Sequence, residues 1–341
     1  MSMNNKNDTT LNQLDILFID SNCRHEIDVF LNDWFNESDS ISLQTSGSTG
    51  DKKRLHALKK NLVESARMTG KFFNFNEHNK ALICLPQEFI SGKMMVIRCL
   101  EFKMKCVVSM PNHPLSYPDN LEIDFAAMTP YQYEKAIHEN ENKLAQIKTI
   151  LLGGAPISER LKIKILQMEH QVFHSYGMTE TYSHIALKRI RVENEPFQIL
   201  PGINCKQAKD KTLIINAPIL GVEELKTNDI VSFVSERQFH FLGRKDFVVN
   251  SGGIKLHPEE LEKKLSTLNW DFNFFFFGLP DDTFGEKLVL FIESKQKIDS
   301  NKLKELLTQY EIPKSIIYCT NFVYTDSGKI NRIQTAKKYS A

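Results

Sequence analysis

Short apolar runs alternate along this chain with stretches in which apolar residues recur every three or four positions. The first pattern predicts buried strands and the second amphipathic helices; their alternation predicts an α/β architecture. Ala81–Leu85, Cys106–Met110, Ile147–Leu152 and Thr212–Ile215 read as strands, and Lys60–Phe72 and Ser158–Met168 as helices. Ser158 suits the N-cap of the second helix, because its hydroxyl can accept from a free N–H of the first turn. Thr227 to Val249 reads as strands joined by turns. Around Lys245–Asp246 the pattern changes and a second α/β unit begins. It comprises a helix from Pro258 to about Leu268, a strand Phe274–Phe277 buried on both faces and ended by Gly278, a strand Leu288–Glu293, a helix Ser300–Tyr310 and a strand Ile316–Tyr318. Pro258 stands where a first-turn proline is tolerated. The expectation is a large α/β domain over 1–245 and a small α+β domain over 246–341, joined near Asp246. The pattern identifies no element in the first forty residues.

Charge narrows the functions. Lys plus Arg is 43 and Asp plus Glu is 42, so no bulk field draws the chain to nucleic acid or an anionic membrane. Any phosphate site must therefore be local. No apolar stretch approaches the ~20 residues of a membrane helix, and the polar segment Met1–Thr10 does not read as a signal peptide. The six cysteines are scattered without a C-x-x-C pair, which points to reduced thiols in a cytoplasmic protein rather than to zinc or disulfides.

The first chemical signal is Thr45-Ser46-Gly47-Ser48-Thr49-Gly50-Asp51-Lys52-Lys53. Glycines let backbone N–H groups turn toward an anion, and hydroxyls and ammonium groups complete the cradle. The common P-loop pattern cannot be laid on it. By composition alone it is either an anion cradle or a polar surface loop.

The segment resembles the TSGSTG-x-P-K phosphate loop of the adenylate-forming superfamily of acyl-CoA synthetases, adenylation domains and luciferases. Lys52 stands where that family has proline, and Lys53 is the family's lysine. Further segments resemble the same family in the same order. Gly153-Gly154-Ala155-Pro156 is similar to its adenine turn. Tyr176-Gly177-Met178-Thr179-Glu180-Thr181 is similar to YG-x-TE, which implies that Tyr176 stacks on adenine, Thr179 contacts the α-phosphate and Glu180 holds Mg²⁺. Thr227-Asn228-Asp229 resembles TGD, with Asp229 accepting from the ribose hydroxyls. Gly243-Arg244-Lys245-Asp246 resembles GR-x-D, with Arg244 at ribose or phosphate and Asp246 as hinge. Gly252 and Gly253 fall in the loop that lines the family's CoA channel. Lys329, in Ser327-Gly328-Lys329-Ile330-Asn331-Arg332, matches the lysine that bridges the acid and the α-phosphate.

The resemblance implies an ATP-, Mg²⁺- and coenzyme A-dependent acid–thiol ligase. The carboxylate attacks the α-phosphate of ATP, and the acyl-adenylate then passes to CoA after the small domain turns about Asp246. Both first reactants are anions, so the chemistry demands neutralisation and alignment. Leu85 to Met95, Thr181 to Ala186 and Val249 to Lys255 resemble the short bacterial form of the o-succinylbenzoate–CoA ligases of menaquinone synthesis. Ser91, Lys93, Arg98 and His184 are candidates for holding that acid's second carboxylate, and each could equally be a solvated or core residue. The other readings are a ligase for another aryl or fatty acid, and a non-catalytic nucleotide-binding sensor. Longer family members carry a full subdomain ahead of the phosphate loop, where this chain has 44 residues. The resemblance therefore implies a reduced N-terminal subdomain and a more open acid pocket, which would suit a homodimer.

Overall fold

The computed structural model describes residues 14–44, 54–111, 115–191, 195–268, 270–325 and 330–340. The first half contributes strands β1 (Ile16–Phe18), β2 (Ser40–Gln44), β3 (Arg54–Leu58), β4 (Lys80–Ile83), β5 (Lys105–Val108), β6 (Ile123–Met128), β7 (Ile147–Leu152) and β8 (Gln171–Gly177). Then follow β9 (His184–Arg189), β10 (Phe197–Ile199), β11 (Asn204–Gln207), β12 (Thr212–Ala217), β13 (Val222–Ser235) and β14 (Gln238–Arg244). Apart from the β2–β3 hairpin, these strands form one sheet in the order β1-β5-β4-β6-β7-β8-β9-β10-β14-β13-β12-β11. Pairing is parallel from β1 to β8 and antiparallel from β8 onward.

Strand alternation builds two cores on this sheet. Ala81, Ile83, Cys106, Val108, Phe125 and Ala127 point into one. Leu82, Cys84, Val107, Ala126, Ile150 and Leu152 point into the other. The helices Lys59–Phe73 and Ile90–Phe102 carry buried residues of the first core. Pro130–Ala145 and Glu159–Leu166 do so for the second. Ser158 caps the last of these, its side chain accepting from Leu161 N–H. The first forty residues, silent in the pattern, contain β1 and the helix Arg24–Phe35, which buries Ile27, Phe30 and Leu31.

A second sheet begins at β15 (Val249–Ser251) and continues with β16 (Ile254–Leu256), β17 (Phe274–Asp281), β18 (Gly285–Ile292) and β19 (Ser315–Tyr318). The phenylalanine run divides between its two faces: Phe274 and Phe276 belong to one core, Phe275 and Phe277 to the other. The strand does not stop at Gly278 as expected. Gly278 pairs with Leu288, because a glycine keeps both ladder groups, and the ladder runs on to Asp281. The helix expected over Ser300–Tyr310 is also shorter, Asn301–Leu306. Glu311 accepts the Thr308 N–H and binds Lys264, which fixes a separate turn there.

Candidate active site

The chain passes from β4 to β5 on one side and returns to β6 on the other, so the strand order reverses between β4 and β6. Ligands of open parallel sheets gather at such a point, beyond the carboxyl ends of the strands. A cleft of about 720 Å³ opens there. Leu85 and Pro86 follow β4, Thr129 follows β6, Gly153 and Gly154 follow β7, and Gly177 ends β8.

The three glycines admit close approach or a left-handed turn, and Gly177 most strictly because backbone faces it. A Cβ on Gly153 would lie 2.4 Å from Ser175 Oγ, and Gly154 has φ +84°. A Cβ on Gly177 would lie 2.2 Å from the Ser183 carbonyl oxygen, because the chain after β8 folds straight back on it. Tyr182 makes that reversal with φ +62°, and Thr181 Oγ1 donates to Ser183 O at 2.8 Å. Thr179 lines the cleft at this turn, and Glu180 beside it is exposed. A single exposed carboxylate suits Mg²⁺, which takes one or two carboxylates together with substrate phosphates rather than an all-protein cage.

The cleft is also lined by Ser91, Arg98, Tyr182, Ser183 and His184. Ser91 and Arg98 are seven positions apart on the helix Ile90–Phe102 and so share a face. Lys93 does not belong with them. It is turned roughly 200° from Ser91 by the helical period, and its ammonium sits 5.3 Å from the centre of the Phe30 ring. Burial lowers the Lys93 pKa there, opposed by Asp33, Glu26 and Glu88. Arg98 is only 2% exposed. Its Nη2 donates to Ser183 Oγ at 2.9 Å and its Nη1 meets Met95 Sδ at 3.6 Å, but its Nε has no partner. No carboxylate pairs with it among the described residues. Burial pulls its pKa down to about 10, so it stays charged at neutral pH. A buried cation without a counter-ion is costly unless an anion arrives to meet it.

A second cluster lies behind Gly177. The Tyr176 hydroxyl donates to Asp229 Oδ2 at 2.6 Å, Arg244 Nη1 lies 3.7 Å from Asp229 Oδ1, and Arg244 Nη2 lies 2.6 Å from Asp246 Oδ2. The pairing of β13 with β14 sets Asp229 opposite Arg244. The Tyr176 ring is 8% exposed among Phe197, Phe239 and Phe241. Burial, then the Asp229 charge, pushes its phenol well up. Burial also raises the Asp229 carboxyl, against the Tyr176 hydroxyl and Arg244, which hold it down.

The remaining expected residues are dispersed. The Ala155 carbonyl accepts from His174 Nε2 at 3.2 Å. Gly252 (φ +57°) and Gly253 (φ +83°) turn the β15–β16 hairpin and do not line the cleft. Thr45, Ser46, Gly47, Ser48, Thr49, Gly50, Lys53 and Lys329 lie outside the described residues. Their neighbours are placed: Gln44 pairs with Arg54, and Tyr324 bridges Ile330. Asn273, Tyr324 and Thr325 of the second unit line the cleft, so the chain leading to Lys329 starts at its wall. Sequence reasoning missed these three, and also Ser183, although Ser183 adjoins a residue that it singled out.

The family described as AMP-binding enzyme matches residues 26–212. The chain is 31% identical to an acyl-CoA synthetase (AMP-forming)/AMP-acid ligase II-like protein from Dyadobacter fermentans, over 92% of this chain and 93% of that one, with a TM-score of 0.62. It is 24% identical to a 2-succinylbenzoate–CoA ligase from Staphylococcus epidermidis, over 87% of this chain and 69% of that enzyme. Its fold matches O-succinylbenzoate coenzyme A synthetase from Bacillus subtilis, solved with ATP and magnesium, with a TM-score of 0.74 at 23% identity, over 86% of this chain and 69% of that one.

Proposed function

Because the chain belongs to the AMP-binding enzyme family, we propose that it joins o-succinylbenzoate to coenzyme A through an acyl-adenylate. The observation that carries the choice of acid is Arg98, a buried cation lining the cleft with an unpartnered Nε and, among the described residues, no carboxylate beside it. An acid with two carboxylates supplies that anion with one and reacts through the other. Leu85, Phe89, Ile90 and Met128 around it give an apolar bed for an arene. A plain fatty acid would leave Arg98 uncompensated. Likeness to ligases of this name points the same way.

In the first step a carboxylate oxygen attacks the α-phosphorus of ATP, and the bond to the bridging oxygen breaks with release of pyrophosphate. In this reading the hydroxyl of Thr179, a residue of the cleft lining, donates to an α-phosphate oxygen. Asp229 keeps acceptor capacity for the ribose diol, held in place by Tyr176 and Arg244. Glu180 would hold Mg²⁺, which when bound neutralises phosphate charge. Lys53 and Lys329 take the family's cationic roles in this reading. In the second step the CoA sulfur attacks the acyl carbon and AMP leaves. That step calls for Lys329 to withdraw and the Gly252–Gly253 turn to approach, with Asp246 as hinge.

The test is acid-dependent exchange of pyrophosphate into ATP, and thioester formation, across a panel. It holds o-succinylbenzoate, 3-benzoylpropionate (the same keto acid without the ring carboxylate), benzoate and a medium-chain fatty acid. The expected kcat/KM for o-succinylbenzoate exceeds that for 3-benzoylpropionate by about ten- to a hundredfold, the worth of one charged hydrogen-bonded contact. Arg98→Met should abolish that preference and leave 3-benzoylpropionate unaffected. Turnover of the fatty acid with none of o-succinylbenzoate overturns the proposal.

A further inference from the structure

Arg98 is held by a chain of hydrogen bonds that leaves the cleft. Its Nη2 lies 2.9 Å from Ser183 Oγ, Ser183 Oγ lies 3.3 Å from His184 Nδ1, His184 Nε2 lies 3.1 Å from Thr69 Oγ1, and Thr69 Oγ1 lies 3.1 Å from the Ser65 carbonyl oxygen. Each hydroxyl owns one proton, and a guanidinium can only donate. Ser183 Oγ must therefore accept from Arg98, which leaves its own proton for His184 Nδ1. Nδ1 is then an acceptor, and a neutral ring carries its proton on Nε2. That N–H donates to Thr69 Oγ1, whose proton goes to Ser65 O. The direction is consistent from Arg98 to the backbone of the helix Lys59–Phe73. Thr69 and His184 are fully or almost fully buried. Burial and the Arg98 charge push the His184 ring well below its ordinary pKa, so it is neutral as this order requires.

We propose that Thr69 and His184 are positioning residues that orient Arg98, and through it set the preference for an acid with a second carboxylate. Thr69 lies 115 positions from His184 and is not among the residues lining the cleft. Without the Thr69 oxygen, a buried Nε2–H has no acceptor. The ring then gains by moving its proton to Nδ1, where it donates to Ser183. Ser183 Oγ would then accept from both the ring and the guanidinium, its own proton would turn to another acceptor, and the direction in which it holds the guanidinium would shift.

The inference rests on the reading of Arg98 given above, and the experiment separates the two. The variants are Thr69→Val, Thr69→Ser and Arg98→Met, with Thr69→Val also made in the Arg98→Met background. KM and kcat are measured for o-succinylbenzoate and 3-benzoylpropionate. Thr69→Val should raise KM for o-succinylbenzoate about tenfold, the worth of one buried hydrogen bond. It should leave kcat within about twofold and 3-benzoylpropionate unchanged. Thr69→Ser should restore wild-type values, and Thr69→Val should add nothing once Arg98 is gone. Nitrogen-15 spectra of labelled histidine, assigned with His184→Gln, should show the Nε2–H form in the wild type and the Nδ1–H form in Thr69→Val. If Arg98→Met keeps the preference for o-succinylbenzoate over 3-benzoylpropionate, the reading of Arg98 falls. If Arg98→Met abolishes the preference but Thr69→Val shifts both acids alike, shifts neither, or leaves the tautomer unchanged, the positioning role alone falls.

Discussion

At the scale of single residues, three histidines sit where burial keeps them neutral. His174 is pushed down to about 3 by burial and then by the Lys188 charge, against the Ala155 carbonyl that accepts from it. His170 is pushed down to about 4, and His184 lies well below its usual value. The sign follows from linkage. Above pH 6.5, the ordinary histidine value, neither state holds the proton. Below it the unfolded chain takes a proton that the folded protein refuses, until the pH reaches the folded value. Stability is full above pH 6.5 and falls by about 1.4 kcal/mol per pH unit for each such histidine. Urea midpoints measured from pH 7 to pH 5 should fall steeply, and less steeply in His174→Gln. Equal slopes in the two proteins would refute the assignment. The glycines make a second contrast. Gly177→Ala drives a Cβ into the Ser183 carbonyl and should cost about 1–3 kcal/mol along with most activity. Gly253→Ala meets no atom within 4 Å and pays only for φ +83°, about 1–2 kcal/mol, with adenylate formation intact.

At the scale of elements, one part-buried ion pair ties the second unit together. Arg332, at the start of the helix Arg332–Tyr339, donates twice to Glu262 of the helix Pro258–Ser266, at 2.8 Å each. Glu262 also accepts the Phe276 N–H at 2.8 Å, and the guanidinium lies over the rings of Phe247 and Phe275. Burial raises the Glu262 carboxyl to about 7 even beside Arg332, so in Arg332→Met it takes up a proton, and losing the charged hydrogen bonds should cost about 1–3 kcal/mol by denaturant unfolding. Lys206→Ala, which breaks an exposed pair with Glu224, should leave the unfolding midpoint nearly unchanged. Which elements were legible follows from their surroundings. The phenylalanine run was readable because a strand buried on both faces is apolar throughout. The helix Ile90–Phe102 was not, because Met94, Met95, Val96, Ile97 and Cys99 are all buried and leave no polar face to mark a period. The helix Pro130–Ala145 did carry a signal, a capping box from Thr129 to Gln132 with proline in the first turn, and it went unread.

At the scale of the whole molecule, the last strand of the large sheet ends at Arg244 and the second sheet starts at Val249. The two units touch through the Arg244 N–H on Glu259 Oε1 at 3.3 Å and through Arg160 on Asp271 at 3.1 Å. Both of these contacts are polar, which suits the movement proposed for the small unit. With Asp246 as the proposed hinge, Asp246→Pro should keep pyrophosphate exchange within about threefold while thioester formation falls about a hundredfold or more, because proline fixes φ where the turn must occur. Asp246→Ala controls for loss of the Arg244 pair, and an equal fall in both steps for Asp246→Pro would remove the hinge.

The order of chemical motifs was in the sequence: glycines at strand ends, a threonine and glutamate after them, an aspartate and arginine further on. Several of the strands were there too, because a buried apolar run depends on neighbours a few positions away. Tertiary structure alone decided that Lys93 turns toward Phe30 while Arg98 turns into the cleft, and that Tyr176 reaches Asp229 across 53 positions. It also brought Thr69, which looks in sequence like any small helix residue, to His184. Such partnerships depend on the order in which strands join the sheet and on how helices rotate against it, and no local pattern of apolar and polar residues encodes either.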